Sequence, residues 1–444
     1  MQYISNTEEN KKEMLKAIGV SSFDELITNI PKSLRNFDLK IPSGISELEL
    51  DRELDEIGSL NKNFKYYIPY VGAGNYDHFI PAVVDRIALR GEFITSYTPY
   101  QGEASQGTLQ SIYEYQSLIC ELTAMDYSNA SMYDGASSLA EAALLALRST
   151  GKKKILMPET AHPEYQRVVQ TYLSYVDSEV VTVHMKEGAI DIDDLQHKMG
   201  QDVAAVIMQQ PNFFGILEEA SKLSEITHRA GTLFVACVNP ISLGVLQAPG
   251  EYGADIAVGE GQPLGNSVSF GGPHFGFFTV KGDLLRKIPG RIAGMTVDKV
   301  GRRSFVLTLQ AREQHIRREK ATSNICTNQA LCALKGAIYL TLLGKAGIRK
   351  LSLLNLRNAH RTYERLLKIK GVRPFSSKPF FNEFALTIDK DKKSLLTNLK
   401  KHRILGPLSL EAFYPERTSD YLFAVTEKRT DQDLEQLAKA IGEG

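Results

Sequence analysis

Neither charge is in excess in this chain of 444 residues: Lys+Arg and Asp+Glu are both 52, and the net charge is zero. Nucleic acid and anionic membranes are gripped by a basic stripe, so neither is expected as a partner. Cysteine is scarce. The four present (Cys120, Cys237, Cys326, Cys332) form no CxxC pair of the kind a structural zinc requires, so no metal site is assigned. They read as reduced thiols of a cytoplasmic protein, with Cys326 and Cys332 on one core-facing helix. Long apolar runs are missing too. The longest uncharged stretch, 232–250, has the length of a membrane span, but Asn239, Pro240, Gln247 and Pro249 break it into a strand and a loop. The N-terminus is charged from Glu8 to Lys16, where a signal peptide would be apolar. Repeats and low-complexity segments are absent, and a soluble protein is expected.

An apolar share of 43% over this length is enough for a large core and more than one domain. Residues 1–60 read as a helical arm, with helical periodicity over Glu8–Ile18 and Ser22–Ile30 and Ser22 placed as an N-cap three residues before Glu25. So little apolar surface does not stand alone, and the arm is expected to wrap another surface. Residues 61–345 read as a large α/β domain. From Lys154, short β-branched runs (155–157, 180–183, 204–208, 233–237) alternate with helical patterns (163–175, 193–198, 218–229), the signature of a mostly parallel sheet. After Val280 the chain turns basic and polar through Arg302, Arg303 and Arg312 to Arg318, with those arginines read as solvated or salt-bridged. A long helical region, 329–368, follows. Residues 346–444 read as a small α+β domain with strands at 384–388 and 421–425.

Several loops stand out chemically. Tyr97-Thr98-Pro99-Tyr100-Gln101, with Glu103, Ser105, Gln106 and Gly107, is the densest polar and aromatic cluster. Such residues wall a small polar substrate or simply lead into the helix that follows. Met132-Tyr133-Asp134-Gly135-Ala136-Ser137-Ser138 opens another helix, and small residues there leave N–H groups for an anion such as phosphate, or act as ordinary caps. A strand at 256–258 empties into Gly259-Glu260-Gly261-Gln262-Pro263-Leu264-Gly265-Asn266. The loop Gly271-Gly272-Pro273-His274-Phe275-Gly276 then enters a strand at 277–280, as a close approach or a plain turn. No lysine occurs between Val258 and Val280.

The order of these motifs resembles the fold-type-I pyridoxal-phosphate (PLP) enzymes, and more closely the P-protein (glycine decarboxylase) family of the glycine cleavage system. The tyrosine loop carries the resemblance, as does Glu319-Lys320-Ala321-Thr322-Ser323-Asn324-Ile325-Cys326-Thr327, and the likeness runs from Met14 to the tail. It implies an aminotransferase-like large domain, a small C-terminal domain and the N-terminal arm. In that family the enzyme is one long chain of two related halves or two separate chains, and this chain resembles the N-terminal-half, or alpha, chain. The other half carries the cofactor lysine eight residues after an aspartate; counting eight from Asp255 reaches Pro263. The strand Phe234-Val235-Ala236-Cys237 presents Cys237 where an aspartate would pair with the pyridinium nitrogen. A proline has no amine for a Schiff base, and a thiol near its ordinary pKa of ~8.5 supplies no carboxylate. The resemblance thus implies no catalytic residue in this chain alone and a vestigial cofactor site at Gly135, Ser137, His162, Cys237 and Pro263, with His162 a hydrogen-bonded structural residue. PLP is expected on a beta partner, in an alpha2-beta2 heterotetramer that acts on glycine and the lipoyl arm of H-protein. Tyr97, Tyr100, Gln101, Thr322, Ser323 and Asn324 would complete the partner's site. Two alternatives stand beside this: an autonomous PLP enzyme using another lysine, such as Lys281 or Lys320, and a regulatory or scaffolding paralogue without activity.

Overall fold

The structure is a computed structural model that describes residues 6–35, 40–95, 97–325 and 328–443, so Cys326 and Thr327 lie outside it. Its contacts divide into two units, Met1–Lys62 and Asn63–Gly444. In the first, the helix Glu8–Ile18 starts where Thr7 and Asn10 cap each other and ends at left-handed Gly19. The helix Glu47–Ser59 starts on the reciprocal pair Ser46 and Glu49. Neither helix buries a residue. The expected helix over 22–30 shrinks to Phe23–Leu26, and Ser22 makes no side-chain cap. Glu25 turns instead to the backbone and hydroxyl of Ser21. Thr28, Asn29 and Ile30 are poor helix formers and Pro31 disfavours helix just before it, so the segment stops early.

The second unit is built on a seven-stranded sheet in the order Tyr127–Ser128, Gly276–Val280, Ile256–Glu260, Leu233–Val238, Val203–Gln210, Lys154–Pro158, Glu179–Val183. The five strands from Ile256–Glu260 to Glu179–Val183 pair in parallel. Gly276–Val280 runs antiparallel against Ile256–Glu260 with Gly276 opposite Glu260. Period-two alternation sorts the side chains into two cores. Val206, Met208, Phe234, Ala236 and Val238 join one with Tyr115, Ile119, Ala333 and Leu340. Ala205, Ile207, Val235 and Cys237 join the other with the inner face of the helix Gly135–Thr150. Parallel strands covered on both faces read as the near-continuous apolar runs seen in the sequence.

Two features differ from the sequence reading. The basic stretch after Val280 contains a hairpin, Ile292–Val297 against Arg303–Thr308. Ile292 packs into the core of the helix Gly135–Thr150, Ala293 and Phe305 join a second small cluster with Leu109 and Ile112, and Arg303, two residues before Phe305 on the same side, stays exposed with its guanidinium 5.7 Å from the Phe305 ring. The long helix Ala330–Leu366 is two helices meeting at Gly344 (φ 56°, ψ −175°), a conformation that glycine adopts without a Cβ clash. Its length and composition match a membrane span, yet Cys332, Ala333, Ala337 and Leu340 belong to the core. Beyond it lies a four-stranded sheet ordered Val372–Pro374, Glu383–Ile388, Asp420–Ala424, Leu408–Ser409, whose core includes Leu395 and Leu399 of the helix Lys392–Lys401 and Leu437 of Asp431–Gly442.

Candidate functional site

Sequence-distant segments meet where the strands Leu233–Val238 and Ile256–Glu260 end. Tyr76, Tyr165, Cys237, Glu260 and Pro263 help line a cavity there of only about 30 Å3. That is room for about one water. Pro263 sits on a turn held by Gln262, whose amide accepts from Tyr76 N–H at 2.9 Å and donates to Tyr76 O at 3.0 Å and Asn266 O at 2.7 Å.

The helix Gly135–Thr150 aims its N-terminus at this point, and the N–H groups of Gly135 and Ser137 there are already taken. Glu260 accepts from Gly135 N–H at 3.0 Å and from Gln262 N–H at 2.9 Å. Asp134 caps the helix by accepting from Ser137 N–H at 2.7 Å, and the Ser137 hydroxyl donates back to Asp134 O at 3.1 Å. Burial pushes the Glu260 carboxyl up to about 8, against the pull of the backbone donors. The approach is tight: a Cβ at Gly135 would lie 2.7 Å from the Tyr165 hydroxyl and 2.8 Å from Glu260 N. Across the sheet, a Cβ at Gly276 would lie 2.2 Å from Asp134 O, so that glycine serves a close approach.

His162 is engaged on both ring nitrogens. Nδ1 accepts from Glu164 N–H at 3.1 Å, which puts the proton on Nε2 facing Ala73 O at 3.0 Å. Burial lowers its pKa and keeps it neutral. The Tyr165 ring stacks on it, with centroids 4.8 Å apart and planes at 21°. The Cys237 thiol is buried and pushed up to about 12, chiefly by desolvation and then by Glu260, so it stays protonated. Gly135, His162, Cys237 and Pro263 are therefore gathered at one place, while Ser137 is turned back onto its own cap.

The other sequence-derived residues lie on two loops, the first exposed and the second half-buried at Thr322 and Ser323. Tyr97 and Tyr100 are 80% and 62% exposed, and Gln101 is exposed. Arg291 lies 5.5 Å from the Tyr100 ring, donates to its hydroxyl at 3.4 Å and to Asn328 Oδ1 at 3.4 Å. The second loop is tied to the same framework, for Thr322 N–H donates to Arg312 O at 3.0 Å and the Arg312 guanidinium donates to Gly290 O at 3.0 Å. Asn324 is exposed. Ser323 departs from the expectation of a hydroxyl available to a partner: it donates to the buried Glu141 carboxylate at 2.6 Å.

Glu260, Tyr165, Tyr76 and Glu383 complete the centre and were not singled out from sequence. Glu383 accepts from Ala73 N–H and the Tyr76 hydroxyl, both at 2.6 Å, tying the four-stranded sheet to the loop over the cavity. A lone carboxylate between two glycines at the end of an apolar strand, as at Glu260, is the signal that was there to find.

The glycine cleavage system P-protein family model matches residues 1–441. "Probable glycine dehydrogenase (decarboxylating) subunit 1" of Desulfitobacterium hafniense is 50% identical over 444 residues, covering all of both chains. The protein of that name from Geobacillus thermodenitrificans is 47% identical, covering 100% of this chain and 99% of its own. A crystal structure of inhibitor-bound glycine decarboxylase (P-protein) superposes with TM-score 0.92 at 44% identity over the whole of both chains. A Burkholderia pseudomallei sphingosine-1-phosphate lyase, at TM-score 0.68 and 12% identity over 93% of each chain, shares the fold alone, which is that of the fold-type-I PLP enzymes. Matched from end to end in sequence and in structure, this chain belongs to the P-protein family of the glycine cleavage system.

Proposed function

We propose that this chain is the non-catalytic alpha subunit of a glycine decarboxylase, with PLP carried by a beta partner. Together they decarboxylate glycine and pass the aminomethyl group to the lipoyl arm of H-protein. The relatives' designation as subunit 1 supports a second chain. The observation that carries the division of labour is the closed centre around Pro263. PLP does not fit the residues there: among the described residues no lysine or arginine lines the cavity, Cys237 is a neutral thiol, and about 30 Å3 compares with ~300 Å3 or more for ordinary small-molecule pockets. The lysines of the autonomous reading do not rescue it. Lys281 follows Val280, at the opposite end of its strand pairing from Glu260, and Lys320 is exposed.

The exposed tyrosine loop and the Thr322 to Asn324 loop, joined through Arg291 and Arg312, are the surface offered to the partner's glycine and cofactor site. The described cysteines are free thiols, in keeping with a cytoplasmic alpha2-beta2 assembly. The test is to mix the chain with a candidate beta chain, assay glycine–bicarbonate exchange, and reduce with borohydride in the presence of PLP. Exchange only in the mixture, with pyridoxyl label confined to the beta chain, is expected. Stoichiometric label on one lysine of this chain overturns the reading.

A further inference from the structure

We propose that this chain excludes PLP by filling the site with its own side chains, the Glu260 carboxyl holding the helix N-terminus and the Tyr165 ring covering His162, rather than merely by lacking the lysine. The inference rests on the non-catalytic reading above and deepens it.

Loss of an amine at position 263 removes a covalent anchor, but by itself leaves a pocket in which a phosphate and a flat ring still bind. Here the pocket is gone as well. A phosphate at the start of the helix Gly135–Thr150 would need the Gly135 N–H, which Glu260 holds at 3.0 Å. The other Glu260 oxygen takes Gln262 N–H at 2.9 Å, so the carboxyl is fixed by two bonds, one to a residue two positions on and one to a residue 125 positions away in sequence. A flat ring needs a face to stack upon, and Tyr165 already lies parallel to His162 at 4.8 Å. Both fillers close on the same glycine, since a Cβ added at Gly135 would meet the Tyr165 hydroxyl at 2.7 Å and the Glu260 Cβ at 3.0 Å. The cover above is fastened too. Glu383 grips Ala73 and Tyr76 at 2.6 Å, and Asp77 pairs with Lys428 at 2.6 Å and Arg429 at 2.9 Å. The remaining 30 Å3 is what these groups leave.

The experiment restores the amine with and without the fillers, in the full chain assembled with its partner. The variants are Pro263→Lys alone; Pro263→Lys with Glu260→Ala and Tyr165→Ala; and Pro263→Lys with Glu260→Gln, which keeps the filler's volume. Each is incubated with PLP, reduced with borohydride and peptide-mapped at position 263 of this chain, with circular dichroism and assembly size as controls of folding. The expected result is at least tenfold more pyridoxyl label at position 263 in the triple variant than in Pro263→Lys alone, with the Glu260→Gln combination as low as the latter. Stoichiometric labelling of Pro263→Lys alone overturns the proposal, because the missing lysine is then the whole barrier. A folded, assembled triple variant that stays unlabelled overturns it as well. Labelling of the unmodified chain would instead refute the non-catalytic reading, so the two failures are distinct.

Discussion

At Ser323 the hydroxyl is held by a carboxyl of its own chain where a partner contact was expected, and at Glu260 the carboxyl holds a helix N-terminus of its own chain. Burial on folding raises the Glu260 carboxyl from its ordinary value of 4.5 to about 8, so between those values the native state binds more protons than the unfolded state. Its contribution is complete below 4.5 and is lost as pH rises toward 8. Denaturant titrations of the wild type should therefore lose about 2–2.5 kcal/mol between pH 5.5 and 7.5 that Glu260→Gln does not lose; parallel curves for the two would refute this. Glu383, raised to about 7, adds to the same trend in both proteins and cancels in the comparison. Ser323→Ala removes the hydroxyl from a carboxylate that is 1% exposed, and should destabilise the chain by about 1–3 kcal/mol in a melting experiment. Tyr100→Phe gives up only a 3.4 Å bond on an exposed ring, so stability should stay within about 0.5 kcal/mol. If the tyrosine loop faces the partner's site, exchange activity of that assembly should fall roughly ten- to a hundredfold. An unchanged rate would leave the loop with a structural role only.

Among the elements, those with strong local periodicity were legible and those defined by distant contacts were not. The helix Glu8–Ile18 and the parallel strands from Lys154–Pro158 to Ile256–Glu260 follow from apolar spacing, caps and β-branched runs. The hairpin Ile292–Val297 with Arg303–Thr308 was hidden because its strands are short and only Ile292, Ala293 and Phe305 in them are buried, so no long apolar alternation marks them. The gathering of Cys237 and Pro263 was legible only through the family resemblance, which matched both positions to one site. Glu260 at Gly135 and Tyr165 on His162 did not, because nothing local tells a cap which distant acid will join it. The break in Ala330–Leu366 was legible only as a glycine among helix formers. Its geometry gives a prediction: Gly344→Ala forces a Cβ into φ 56°, ψ −175° and should cost about 1–3 kcal/mol of stability, read by thermal melting. A neutral result would mean that the two halves straighten into one helix at little cost.

For the whole molecule, sequence gave the α/β class through the order of its strands, and the family through motifs that no physical rule would single out. The surfaces meant for another chain were less legible, since exposure is a property of the folded molecule. In the first unit, Met14, Ile18, Phe23, Leu26, Leu48, Leu54 and Ile57 are between 41% and 66% exposed. A helical segment whose apolar side chains stay in water does not hold itself together by burial, and such patches mark places where another surface docks. Covering one such side chain is worth up to about 1.5–3 kcal/mol, and each 1.4 kcal/mol is tenfold in affinity. A chain beginning at Asn63 keeps the whole seven-stranded sheet and its cores, so it should fold, with a melting temperature close to that of the full chain. Mixed with the proposed beta partner at micromolar concentration it should associate at least tenfold more weakly than the full chain does, as measured by analytical ultracentrifugation. Equal association of both forms would show that the arm's apolar residues have no part in the assembly.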